Sequence, residues 1–193
     1  MELKNKIFVI QNLIRSQNFS TAIVNCKKLL KKYPENSYTY NLCGLALQGE
    51  KKFSNSIEYF SKALHYDSEN LAAMNNLANS YKTLYYYDKA QDLYLKIIKK
   101  DPLNLKTLNN YANLKRTWND FDGAIDLYLK ATKINPEEIN ILFSLADSYQ
   151  SIGDFKKSRE VIDKILRIDP NKTSAHKLIL SLIHISEPTR RTP

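Results

Sequence analysis

The chain has 193 residues, a formal net charge of +9 and a pI of about 9.4. That length can bury a core, while four glycines and six prolines leave little room for long irregular loops. The apolar run 7–10 is too short for a signal peptide or a membrane span, so a cytoplasmic protein with no membrane association is expected.

In chain order the sequence divides into blocks of 34 residues: 3–36, 37–70, 71–104, 105–138 and 139–172, with a partial sixth from 173 to 179. The match is clearest between the third and fourth blocks. There Met74-Asn75-Asn76-Leu77-Ala78-Asn79 returns as Leu108-Asn109-Asn110-Tyr111-Ala112-Asn113, and Ala90, Tyr94 and Pro102 return as Ala124, Tyr128 and Pro136. A fixed period of this size marks stacked repeats that touch only their neighbours. Within a block, position 8 reads Ile10, Gly44, Ala78, Ala112, Ala146, and position 20 reads Ala22, Ser56, Ala90, Ala124, Ser158. Position 24 reads Cys26, Phe60, Tyr94, Tyr128, Ile162, and position 32 reads Pro34, Ser68, Pro102, Pro136, Pro170.

Positions 4, 7, 8 and 11 recur at i, i+3, i+4, i+7 and so form one helical face. In the third block that face is Met74, Leu77, Ala78 and Tyr81, and Ala90, Tyr94, Ile97 and Ile98 make a second. Small residues at positions 8 and 20 let two helices approach, the residue at 24 fills the space beside them, and Pro at 32 ends the second helix. Ser68 replaces that Pro at little cost, because Asp67 and Asn70 still favour a turn. At position 11 of the fourth block stands Lys115, whose stem can lie along the core edge with its ammonium in water.

This pattern resembles the tetratricopeptide repeat family over about 170 residues, the first block most loosely. The resemblance implies an all-α, right-handed superhelix (an α-solenoid) of stacked antiparallel helical hairpins. It also implies a role in protein interaction.

Nothing in the sequence forms a catalytic constellation, a Gly-rich phosphate loop or a nucleophile elbow, so no enzyme, cofactor or metal site is expected. Cys26 and Cys43, at core positions, read as small buried hydrophobes. His176 falls at a packing position and His65 late in a helix. The lysines are dispersed, which argues against a nucleic-acid interface.

The polar residues opposite the core stripe carry the functional expectation. Positions 2, 5, 6, 9, 12 and 13 of the first helix face away from it, and in stacked repeats that face lines the concave groove. The candidate peptide-binding residues are Asn41, Asn75, Asn76, Asn79, Lys82, Lys106, Asn109, Asn110, Asn113 and Arg116. Tyr38 precedes them, and Asn140, Ser144, Asp147 and Gln150 continue the same face. Asparagine both donates and accepts, so a ladder of them can hold the backbone of an extended peptide. The Lys and Arg residues add attraction for acidic groups. Within the family this resembles the asparagine ladder of the protein O-GlcNAc transferases, with Asn76 and Asn110 at the matching position. It fits poorly the two-carboxylate clamp of chaperone cofactors, which needs Lys or Arg where this chain has Asn.

The end of the chain departs from the repeat. Leu180-Ser-Leu-Ile-His-Ile-Ser-Glu-Pro-Thr-Arg190 resembles the in-frame translation of a transposase adapter used in sequencing libraries. Residues 180–193 are therefore expected to be a non-native tail on a truncated reading frame. The functional expectation is a non-catalytic scaffold that holds an extended protein or peptide segment, including one with acidic groups. The alternative is the substrate-recruiting N-terminal region of a truncated bacterial transferase, a sulfotransferase or an O-GlcNAc-type glycosyltransferase.

Overall fold

A computed structural model describes the backbone of residues 2–186 and the side chains of residues 2–180. The described residues form α-helices joined by short turns, with no strand. In order these are α1 (Glu2–Arg15), α2 (Phe19–Lys32), α3 (Ser37–Gly49), α4 (Phe53–Tyr66), α5 (Leu71–Thr83) and α6 (Tyr87–Lys100). They continue with α7 (Leu105–Thr117), α8 (Phe121–Ile134), α9 (Ile139–Ser151), α10 (Phe155–Ile168) and α11 (Thr173–Ser186). Each 34-residue block is one hairpin of two helices, and the fold class is the all-α repeat stack expected. Two compact units divide the chain, 1–102 with three hairpins and 103–193 with two hairpins and α11. Residues 187–193 of the adapter-like tail lie outside the described residues.

The periodic positions make the core. All five residues at position 20 and all five at position 24 are fully buried, as are Ala78, Ala112 and Ala146 at position 8. In the first unit, Ile10, Cys26, Leu29, Leu42, Cys43 and Leu47 form one apolar cluster across the first two hairpins. Cys26 and Cys43 lie inside it as free, fully buried thiols. In the second unit, Leu142, Ala146, Ile162 and Ile165 close around Ala175 of α11.

Helix ends follow local chemistry. Asn36, Asn70 and Asn104 cap α3, α5 and α7, each side chain accepting the backbone N–H three residues on. Asp120 and Asp154 do the same for α8 and α10. The turn at Ser68 closes like the proline-containing ones, with Asn70 N–H donating to Asp67 O at 3.2 Å where Asn36 N–H donates to Tyr33 O at 3.3 Å. Lys115 reaches Asp120 at 2.9 Å over the rings of Tyr111 and Trp118. His176 is corrected: it is exposed and meets the Pro170 carbonyl at 2.8 Å instead of packing in the core.

The turn inside each hairpin uses one conformation. Position 15 has positive φ in all five complete repeats: Gln17 at 59°, Lys51 at 60°, Tyr85 at 64°, Asn119 at 59° and Gly153 at 79°. A side chain in this left-handed region costs about 1–2 kcal/mol, partly offset by the greater unfolded-state entropy of glycine. Lys51→Gly, at an exposed position, is therefore expected to stabilise the first unit by about 0.5–1 kcal/mol. Gly153→Ala should destabilise the second by a similar amount. The urea midpoint of each variant checks both signs.

Candidate functional site

The candidate residues divide into those the stack uses for itself and those it leaves at the surface. Asn41, Asn75 and Asn76 are 4%, 3% and 3% exposed, which corrects the expectation that positions 5 and 6 of the first unit form an open face. The Asn76 Nδ2 donates to Asn41 Oδ1 at 3.0 Å and so ties α5 to α3. Beside this pair, Gln48 Nε2 donates to the Asn76 carbonyl at 2.9 Å and to Ser80 Oγ at 2.7 Å. Ser80 in turn shares a hydrogen with Ser56 Oγ at 2.7 Å. These bonds satisfy polar groups that burial would otherwise penalise.

Asn79 and Asn113, both half-buried, have a different task. Asn79 Oδ1 accepts from the Tyr94 hydroxyl at 2.6 Å, and Asn113 Oδ1 accepts from the Tyr128 hydroxyl at 2.7 Å. Tyrosine at position 24 is fully buried, so its O–H needs an acceptor, and asparagine at position 9 of the same hairpin supplies one. Where position 24 is Phe60, position 9 is Leu45, and no acceptor is needed. Burial pushes the Tyr94 and Tyr128 phenols above the usual range.

The remaining candidates are cationic or lie further out. In the first unit Lys82 is half-buried, and burial lowers its ammonium with no carboxylate of the described residues paired to it. In the second unit Asn109 and Asn110 are half-buried on α7. Lys106 has an exposed surface yet is flanked by enough protein for burial to lower it too. Arg116 forms an ion pair with Asp147 of α9, and its Nε is buried without a hydrogen-bond partner among the described residues. Arg116 and Ser144 also approach the Tyr128 hydroxyl.

Arg116, Ser144 and Asp147, with Phe143 and Leu178, line a depression of about 250 Å³. Every lining residue stands at position 5, 6, 9 or 12 of a first helix, α7, α9 or α11. It combines two apolar side chains with a guanidinium whose donors Asp147 does not exhaust. Sequence reasoning missed the apolar half, because Phe143 and Leu178 replace the asparagines of the third and fourth repeats. Of the described residues, no group of three His, Cys, Asp or Glu side chains is placed to hold a metal ion. No described helix is long and apolar enough to cross a membrane.

Two family models match the chain. Residues 4–114 match the N-terminal tetratricopeptide repeat region of Psidin, and residues 119–182 match a tetratricopeptide repeat model. No curated protein matches the chain significantly. Among solved structures it is similar to MamA, at 20% identity over 89% of this chain and 94% of that one, with a TM-score of 0.72. It is also similar to YrrB, described as a tetratricopeptide repeat protein with an unusual peptide-binding site, at 16% identity over 91% and 90% with a TM-score of 0.70. PilF of Pseudomonas aeruginosa superposes with a TM-score of 0.84 at 17% identity, over 95% of this chain and 83% of that one.

Proposed function

The chain belongs to the tetratricopeptide repeat family, and on that premise we propose that it is a non-catalytic interaction scaffold that holds an extended segment of a partner protein. The observation that carries the reading is the depression bordered by Arg116, Phe143, Ser144, Asp147 and Leu178. An extended peptide places one apolar side chain between Phe143 and Leu178. A neighbouring carboxylate of the peptide competes with Asp147 for Arg116 and engages donors that the ion pair leaves unused. Asn109, on the α7 face, offers an amide to the peptide backbone, and Lys106 adds attraction for acidic groups.

The buried asparagines have a supporting role in this reading. Asn41 and Asn76 fix α3 against α5, while Asn113 orients the Tyr128 hydroxyl next to Arg116. A site supported by locked side chains loses less entropy when it binds. The peptide-binding site named for YrrB belongs to that protein, but it shows that a stack of this fold has been found with one.

The test uses short fluorescent peptides that pair Phe or Leu with Asp or Glu, with Lys-substituted versions as controls. The acidic-apolar peptides should bind, and Arg116→Ala should weaken them about tenfold, or about 1.4 kcal/mol. Asn109→Ala should weaken them less. Equal binding of acidic and basic peptides, or full affinity in Arg116→Ala, would overturn the proposal.

A further inference from the structure

A second surface lies on the first unit, at its first hairpin. Asn5, Lys6, Val9, Ile10, Asn25, Lys28, Leu29 and Lys32 line a cleft of about 300 Å³ between α1 and α2. Its floor is Ile10 and Leu29, 1% and 3% exposed, and its wall is Val9, 50% exposed. Val9 stands at position 7 of its repeat. At the same position Cys43 and Leu77 are 0% and 6% exposed, because the second helix of the preceding hairpin packs on each. On Cys43 that helix is α2, acting through Cys26 and Leu29. Position 3 repeats the contrast: Thr39 and Ala73 are fully buried and Asn5 is exposed. The cleft thus has the shape that this chain fills with a helix elsewhere in the same unit, and among the described residues no helix fills it.

The rim sets the charge of a helix that would fit the cleft. Three lysines surround the cleft, and among the described residues the carboxylate paired with them is Glu2, which bridges Lys6 at 2.7 Å and Lys32 at 2.8 Å. Lys28 is exposed and has no carboxylate paired with it among the described residues. An apolar floor under a cationic rim fits an amphipathic helix with apolar residues at i, i+3 or i+4 and carboxylates beside them. A second copy of this chain is the wrong partner by charge. Each copy carries +9, and its end helix α11 contains Lys177 and no Asp or Glu.

We infer that the α1–α2 cleft is a docking site for an acidic amphipathic helix of another protein, which packs there as a preceding hairpin's second helix would. This surface shares no lining residue with the Arg116 depression.

The experiment uses the full chain with a synthetic helical peptide bearing Leu at i, i+4 and i+7 and Glu on both flanks, compared with the same peptide carrying Lys for Glu. Methyl NMR shifts should appear at Val9, Ile10 and Leu29 with the Glu peptide only. Lys28→Glu should weaken binding about tenfold, and raised salt should weaken it further. Val9→Asp, at a half-exposed site, should abolish it while the circular-dichroism spectrum stays helical. Equal binding of both peptides, shifts on α7 and α9 in place of α1 and α2, or unchanged affinity in Lys28→Glu would each overturn the inference. Sedimentation that shows a dimer of the chain alone, lost in Val9→Asp, would overturn it in favour of a second copy.

Discussion

Asn113→Leu is expected to destabilise the second unit by about 1–3 kcal/mol, and adding Tyr128→Phe is expected to restore most of that loss. The Tyr128 ring is fully buried, and its hydroxyl donates to Asn113 Oδ1 at 2.7 Å. The other polar neighbours of that oxygen are Arg116 and Ser144. A guanidinium only donates, and the Ser144 hydroxyl is directed at the Asn140 carbonyl at 3.1 Å. Removing the Asn113 acceptor therefore breaks a bond that the guanidinium cannot replace and that only a re-aimed Ser144 oxygen could accept, and in a buried place an unmade bond costs its desolvation. The double variant recreates the Leu45 and Phe60 combination of the second repeat, where the same two positions carry no polar group. A double-mutant cycle in urea should give a coupling energy of at least about 1 kcal/mol. Additive losses would show that Asn113 acts without Tyr128. Because repeat arrays need not unfold in one step, hydrogen exchange in α7 and α8 should move with the same variants.

Asn79 and Asn113 also show where the sequence reading stopped. The helical hairpins and the residues at positions 8, 20 and 24 were legible, since a period repeated five times averages out local irregularities. The function of the asparagines was not. A helical wheel places positions 5, 6 and 9 opposite the apolar stripe, and on an isolated amphipathic helix that face meets water. In the first unit α3 is covered by α1, α2, α4 and α5, and α5 by α3, α4 and α6, so the buried arc of each is much wider than one stripe. Thr39 and Ala73 at position 3, and Asn41 and Asn75 at position 5, are all buried for this reason. The partnership of Asn79 with Tyr94 could have been found, because asparagine at position 9 occurs where position 24 is tyrosine and is absent where it is Phe60 or Ile162. The Asn36, Asn70 and Asn104 caps were likewise open to reading. The left-handed turn at position 15 was not, because Gln17, Lys51 and Tyr85 have no preference for that conformation. The Arg116 depression stayed hidden because its apolar residues, Phe143 and Leu178, break the polar pattern that drew attention to the face.

Gly44→Ala is expected to cost the first unit about 1–3 kcal/mol, against the general rule for a helix interior. In an exposed helix the change would gain up to about 1 kcal/mol, because alanine loses less entropy on folding. Here a Cβ on Gly44 would sit 2.4 Å from the nearest carbon of the Phe60 ring. That ring is fully buried and has no free space to enter. The third and fourth repeats accept alanine at this position, as Ala78 and Ala112, where the facing ring is a tyrosine held by its hydroxyl to Asn79 or Asn113. Phe60 has no such tether and closes onto the glycine. Gly44→Ala combined with Phe60→Leu, which removes the clashing ring atoms, should therefore be closer to the parent than Gly44→Ala alone. Gly49 supplies the contrast, since its Cβ would also meet a ring at 2.4 Å, that of Phe19. Phe19 is only half-buried and can swing toward solvent, so Gly49→Ala should cost clearly less than Gly44→Ala. Urea midpoints that rank the two glycines in the opposite order would show that the fully buried ring is the one able to yield.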